Sequence, residues 1–231
     1  GKISVGPPYF QAVFVPLMIP LAILLGIGPL LRWKRDSFGR LGGVLRIAAV
    51  LTALGVVVFA VAVSAAGVAA TLGVALGLWI AATSVQAIWE RVRNKRARLA
   101  ALRGIPAGTW GMVLAHLGLA AFIVGVTLVS NFELERDVRL TPGEDVTLKD
   151  YQFRLEGVRR VQGPNYSAHQ ALILVSRDGL PISELRPEKR TYRVQRSPMT
   201  ESAVDKGVFR DLYVALGEPL GNGAWSVRVH Y

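Results

Sequence analysis

Cysteine is absent from the chain. No disulfide can staple any part of it, no C-x-x-C pair can exchange thiols, and no C-x-x-C-H motif can attach a haem covalently to these residues. The phosphate-loop pattern G-x-x-x-x-G-K-[ST] and the nucleophile elbow G-x-S-x-G are missing too, so two common signatures of hydrolytic enzymes are excluded. Acidic residues are scarce in one half only. Residues 1–132 hold 12 basic and 2 acidic side chains, against 15 and 14 in residues 133–231, so most of the net charge of +11 lies in the first half. Histidine occurs three times, at His116, His169 and His230.

Where charge is missing, long apolar runs take its place. Stretches near 10–31, 47–66, 68–88 and 110–130 contain no Asp, Glu, Lys or Arg. Each is roughly 20 residues, the length that crosses a hydrocarbon core of ~30 Å. They predict four transmembrane helices and a membrane domain over 1–132. Trp33, Trp89 and Trp110 fall at the expected ends, where amphipathic rings favour the interface. Basic residues crowd two connectors, RWKRDSFGR at 32–40 and ERVRNKRARLAALR at 90–103. The positive-inside rule assigns both to the cytoplasm. A solvated, headgroup-facing loop accounts for them, and nucleic acid is set aside as a partner. The N-terminal residues, the SAAG connection at 64–67 and everything beyond Asn131 are then expected outside. A first span that starts almost at once, outer end leading and with no signal-peptide n-region, suggests a segment of a longer polytopic protein or a split subunit.

Composition changes at Phe132. Runs such as ELERDVRL, YQFRLEGVRRV, HQALILVS, DLYVALG and AWSVRVHY are rich in β-branched and aromatic residues and are separated by turn residues. They predict an extracytoplasmic antiparallel β domain over 133–231. Alternation puts Tyr151, Phe153 and Leu155 on one face, and Trp225, Val227, Val229 and Tyr231 on another. RDG at 177–179 reads as a hairpin turn, GNG at 221–223 as a lone turn, and RSPMTESAVDKG at 196–207 as the site of a helical turn. His169 and His230 read as surface residues, and PEKRTY at 187–192 as strand and turn scaffolding. No residue of this domain is assigned a catalytic role.

His116 is the one ionisable side chain in the last apolar run. With Trp110 at the cytoplasmic end, a rise of 1.5 Å per residue sets it about 9 Å along the axis, inside the hydrocarbon. Met112, Val113, Leu119 and Ala120 surround it on the helix, and Gly111, Ala115, Gly118 and Gly125 offer close approach to another helix or a flat ligand on an adjoining face. Three readings stand on these residues: a buried hydrogen-bonding group between helices, an axial ligand of a haem iron, or a proton relay or quinone contact. No other span carries a histidine, so a bis-histidine site would draw its second ligand from elsewhere.

Several stretches in order resemble one family. SVGPPYF, VFVPLMIPLAILLGIGPLLRWKR, GMVLAHLG, LTPGEDV, GPNY, PEKRTY, PMTESAVD and LYVALGEPLGNGAWSVRVHY are similar to the C-terminal part of the CcmF family, the large subunit of the cytochrome c haem lyase in the multi-component bacterial maturation pathway. The resemblance implies a multi-pass protein of the bacterial inner membrane, its β domain periplasmic. It implies that the family joins haem to the C-x-x-C-H thiols of apocytochrome c, receiving haem from a periplasmic haem chaperone and working with thiol-reducing maturation subunits. A separate b-type haem stays in the membrane and relays electrons from quinol. The histidine of GMVLAHLG is one axial ligand of that haem, so His116 is the implied cofactor and metal-binding residue; the other ligand and the substrate-haem site lie in the remaining N-terminal part of the same protein. The family's Trp-rich periplasmic signature, its flanking histidines and its last helix are not in this sequence, so these residues alone are expected to be inactive. The alternative is a membrane-anchored β-domain scaffold in which His116 is purely structural.

Overall fold

The computed structural model describes residues 6, 9–32, 36–63, 66–194, 197–207 and 210–231. Trp33 and the first half of the SAAG connection, Ser64 and Ala65, lie outside them. The chain divides into two compact units, Gly1–Phe132 and Glu133–Tyr231.

The first unit is helical. A π-helical turn at Phe10–Phe14 runs into α1, Val15–Ile27, which ends in a short 3-10 turn at Gly28–Leu30. Then follow α2, Phe38–Ala62; α3, Val68–Val92; the short α4, Arg98–Arg103; and α5, Ala107–Phe132. Among the described residues four segments are long and apolar enough to span a bilayer: Ala12–Leu30, Phe38–Ala62, Val68–Val92 and Ala107–Phe132. α2 starts well before the charge-free run because a cap, not hydropathy, fixes its end. The Ser37 hydroxyl accepts from the Arg40 backbone N–H at 3.4 Å, a standard way to satisfy a first-turn donor. Asp36 accepts from Arg40 Nε at 2.8 Å. That guanidinium holds the Asp36 carboxyl well below the usual carboxylate range.

α3 is the hub of this unit, since α1, α2 and α5 all pack on it. Small residues allow the close approach. A Cβ at Gly73 would run into Thr127, and one at Gly77 would meet Val124 and come within 3.0 Å of the Ala120 carbonyl. Against α1, Gly26 leaves room for Trp79, whose Nε1 donates to the Ile23 carbonyl at 3.1 Å. Against α2, buried Gln86 donates from Nε2 to the Val44 carbonyl at 2.9 Å. Polar contacts of this kind tie helices together where lipid removes the hydrophobic contrast.

The second unit is a sandwich of antiparallel strands in two sheets, ordered β1-β10-β9-β8 and β2-β3-β4-β6-β7, with β5 also on β4. The strands are β1 Glu135–Leu140, β2 Asp145–Leu148, β3 Tyr151–Gln162, β4 Tyr166–Arg177, β5 Leu180–Leu185, β6 Glu188–Tyr192, β7 Pro198–Glu201, β8 Ala203–Lys206, β9 Asp211–Gly221 and β10 Ala224–His230. Period-2 alternation builds the core: Phe153, Leu155, Ile173, Val175, Leu212, Val214, Leu216, Val227 and Val229 are wholly buried between the sheets. Asp178 and Gly179 take φ of 51° and 77° and close the β4–β5 hairpin at RDG. Gly221, Asn222 and Gly223 likewise turn β9 into β10 with positive φ, a conformation favoured by Gly and Asn. The helical turn expected at 196–207 is not there. Pro198–Glu201 pairs with β6 and Ala203–Lys206 with β9; available sheet edges override the local Ser/Pro/Thr helix-start signal.

Two substitutions separate the units. Gly77→Val forces α5 away from α3 and should cost roughly 1–3 kcal/mol, read as a lower melting temperature of the purified chain with the β-sheet circular dichroism melt unmoved. Phe153→Ala should do the reverse, costing roughly 3–5 kcal/mol in the sandwich core.

Candidate functional site

His116 sits on α5, the helix seated on α3 by the glycines. Its Nδ1 lies 2.8 Å from the Met112 carbonyl oxygen, four residues back. A carbonyl can only accept, so Nδ1 carries the proton, and in the neutral ring the lone pair is on Nε2. This fixes the ring's orientation and leaves Nε2 as the available donor to a metal, the usual arrangement for a ligating imidazole. The ring is half-buried, with buried Val113 and Ala120 on the same side of the helix.

Helical geometry orders what surrounds it. α5 meets α3 along Ala120, Val124 and Thr127, with Val113 buried in line with them. At about 100° per residue His116 lies about 60° from Val113, at the border of that seam. Gly111, Gly118 and Gly125 lie on another face, about 200° from the seam residues 113, 120 and 127. A Cβ at any of the three would meet nothing within 4 Å. The small-residue stripe is therefore open; around the helix Gly118 lies about 160° from His116 and Ala115 about 100°.

The groups present fit one axial position of a haem. A neutral, oriented imidazole with a free Nε2, apolar neighbours and an accessible flank is what such a position needs. Among the described residues no cluster of three or more His, Asp or Glu could hold a metal ion.

The other histidines are less plain than their sequence context implies. His169 accepts at Nε2 from Arg160 Nε at 3.3 Å and its ring stacks on Trp225 at 5.1 Å between centroids. It therefore points between the sheets, where a surface residue was expected. Alternation along β4 puts it on the face of Ala171, Ile173 and Val175, all buried; in the partner strand Glu156 is an extra residue that shifts the register between Leu155 and Gly157 and exchanges the faces of the β3 residues after it. Val158 and Arg160, paired with Ala171 and His169, thereby join the inward side. His230 meets Glu133 through Nδ1 at 2.7 Å and lies edge-on to Tyr213 at 4.8 Å. Nearby, Arg228 makes two 2.8 Å bonds to Asp137, which hold that carboxyl below its ordinary range. These ion pairs tie β10 to β1 and the residues leading into it.

Comparison with known proteins gives this geometry its context. Residues 131–231 match a family model described as the CcmF C-terminal beta-sandwich. Along its whole length the chain is 46% identical to the cytochrome c-type biogenesis protein CcmF of Pseudomonas aeruginosa and 45% identical to that of Escherichia coli. It is 37% identical, over 99% of its length, to the cytochrome c-type biogenesis protein ccl1 of Rhodobacter capsulatus. In each case it covers 35% of the relative, so the chain spans about a third of the length of the curated relatives it matches. A solved structure titled Cytochrome c Heme Lyase CcmF superposes with a TM-score of 0.72 at 21% identity, over 97% of this chain and 36% of that one, which shows the same fold. With four span-length helices leading into a sandwich that matches the family's C-terminal model, the chain belongs to the CcmF family of cytochrome c-type biogenesis proteins, as a C-terminal portion of a multi-pass membrane protein.

Proposed function

We propose that the chain is part of a cytochrome c haem lyase that joins haem to the C-x-x-C-H thiols of apocytochrome c, and that His116 supplies one axial ligand of a b-type haem in the membrane. The observation that carries this reading is the bond from Nδ1–H to the Met112 carbonyl, which leaves Nε2 free in a span without any other ionisable group. A bound haem there would supply a one-electron couple, receiving electrons from quinol and keeping the substrate haem reduced. The chain's own contribution is to fix the tautomer, aim Nε2 and exclude water with apolar neighbours. The second ligand and the substrate-haem site belong to the N-terminal remainder of the protein, and these residues alone are inactive.

The proposed topology follows from charge. Both basic connectors face the cytoplasm of a bacterial inner membrane, and the sandwich stands in the periplasm. There it docks the maturation partners: a periplasmic haem chaperone, thiol-reducing subunits or apocytochrome c. Several of its charged groups are engaged in strand-to-strand pairs such as Arg228–Asp137 and Arg190–Glu201, which supports a scaffolding and docking role over a catalytic one.

In the full-length protein, His116→Ala is expected to lose the membrane haem, and His116→Gly to regain it when imidazole is added. The reduced α-band in purified membranes reports both; an unchanged band in His116→Ala sinks the ligand assignment and leaves the scaffold reading. Deleting residues 133–231 is expected to leave the membrane haem bound while covalent haem on a reporter cytochrome falls to background. Loss of both would mean that the sandwich serves folding, and the docking role would be withdrawn.

A further inference from the structure

The least balanced charge in the molecule lies between α3 and α5. Arg91, Arg93, Lys95, Arg96, Arg98 and Arg103 fall within 13 residues, and after Glu90 the next acidic residue is Glu133. Three of the six are occupied locally. Arg91 Nη1 donates to the Ala87 carbonyl at 2.7 Å, Arg93 pairs with Glu90 at 3.3 Å, and the Arg98 guanidinium lies 5.3 Å from the centre of the Trp89 ring. The side chains of Lys95, Arg96 and Arg103 have no hydrogen bond or ion pair among the described residues, and no acidic residue lies outside that set. They are exposed, and beside them α4 presents Leu99 with 67% of its surface open, next to Trp89 with 47%.

Position decides what such a surface meets. The segment is bounded on both sides by span-length helices, α3 ending at Val92 and α5 beginning at Ala107. Its cations are therefore held at the edge of the hydrocarbon, in the layer where lipid phosphates sit. Free cations beside an exposed leucine and tryptophan form the amphipathic pattern of a segment lying in the interface, its apolar side chains resting on the acyl boundary. A nucleic acid would need a basic face leading away from the membrane, and this one is anchored to it at both ends.

We infer that residues 91–103 form a binding site for anionic phospholipid headgroups, with Lys95, Arg96 and Arg103 holding the net-negative phosphate group while Leu99 and Trp89 contact the acyl boundary. The site selects lipid by net charge, so a zwitterionic headgroup carrying the same phosphate binds less well. The inference rests on the membrane topology and not on the haem reading.

The test uses the full chain, purified in neutral detergent and offered equal amounts of phosphatidylglycerol and phosphatidylcholine with identical acyl chains. Native mass spectrometry counts the lipid retained. Retention of phosphatidylglycerol should exceed that of phosphatidylcholine about tenfold, in keeping with the attraction of juxtamembrane cations to anionic lipid. The triple variant Lys95→Gln, Arg96→Gln, Arg103→Gln should bring the ratio to within about twofold of unity. The charge-conserving pair Arg96→Lys, Arg103→Lys should keep the preference, which separates charge from folding. Arg154→Gln with Arg193→Gln, exposed cations of the sandwich, should leave it unchanged. Equal retention of the two lipids by the unmodified chain, or an unaltered ratio in the triple variant, overturns the inference. So does loss of the preference on adding inorganic phosphate, which would mark a free-anion site, or on adding a short RNA, which would mark a nucleic-acid face. The readout involves no haem, so failure here leaves the role of His116 standing.

Discussion

The contact that orders the membrane unit is the close packing of α5 on α3 through Gly73 and Gly77. Side chains at those positions would displace Thr127 and Val124 and press on the Ala120 carbonyl. Because the glycines admit α5 at short range, the face of that helix carrying Val113 and Ala120 is buried, and the direction in which His116 can point is set. α3 serves α1 and α2 in the same way, through Trp79 over Gly26 and through Gln86 bonded to Val44. Between apolar helices in lipid such small-residue contacts and shared carbonyls replace the hydrophobic drive available in water.

The chemistry of His116 follows from a backbone requirement of the same environment. In hydrocarbon a donor without a partner is costly, and the nearest acceptor on a helix is the carbonyl one turn earlier. Met112 supplies it. Once Nδ1 is committed to that oxygen, only Nε2 can interact with anything else, so one hydrogen bond both satisfies the ring and selects its reactive atom. In the proposed reading this is what turns a lone intramembrane histidine into half of a haem site.

Much of this was legible in the sequence, for identifiable reasons. Charge-free runs locate helices because the cost of burying a charge in lipid is large and does not depend on which helices are neighbours. Tyr151, Phe153 and Leu155 all lie in the sandwich core, since strand alternation needs no knowledge of the partner strand. What escaped depended on partners. The β3 bulge at Glu156 exchanges faces midway along a continuous run and so brings Val158 to the core side, and the seat of His169 against Trp225 depends on a strand of the other sheet. Residues 198–206 join two sheet edges, against their local helix-start signal. The start of α2 was set by Ser37 and Asp36 and not by hydropathy. The bond from Gln86 to the Val44 carbonyl is not legible in the sequence, because one polar side chain in an apolar run does not reveal that a neighbouring carbonyl awaits it.

The central claim is that His116 Nε2 faces a haem iron in the assembled protein. The most direct measurement is the midpoint potential of the membrane haem in full-length protein carrying His116→Met, compared with the unmodified protein. A thioether in place of an imidazole raises the potential of a haem it ligates, so the account predicts an upward shift with the haem retained. An identical potential in the two proteins would contradict it.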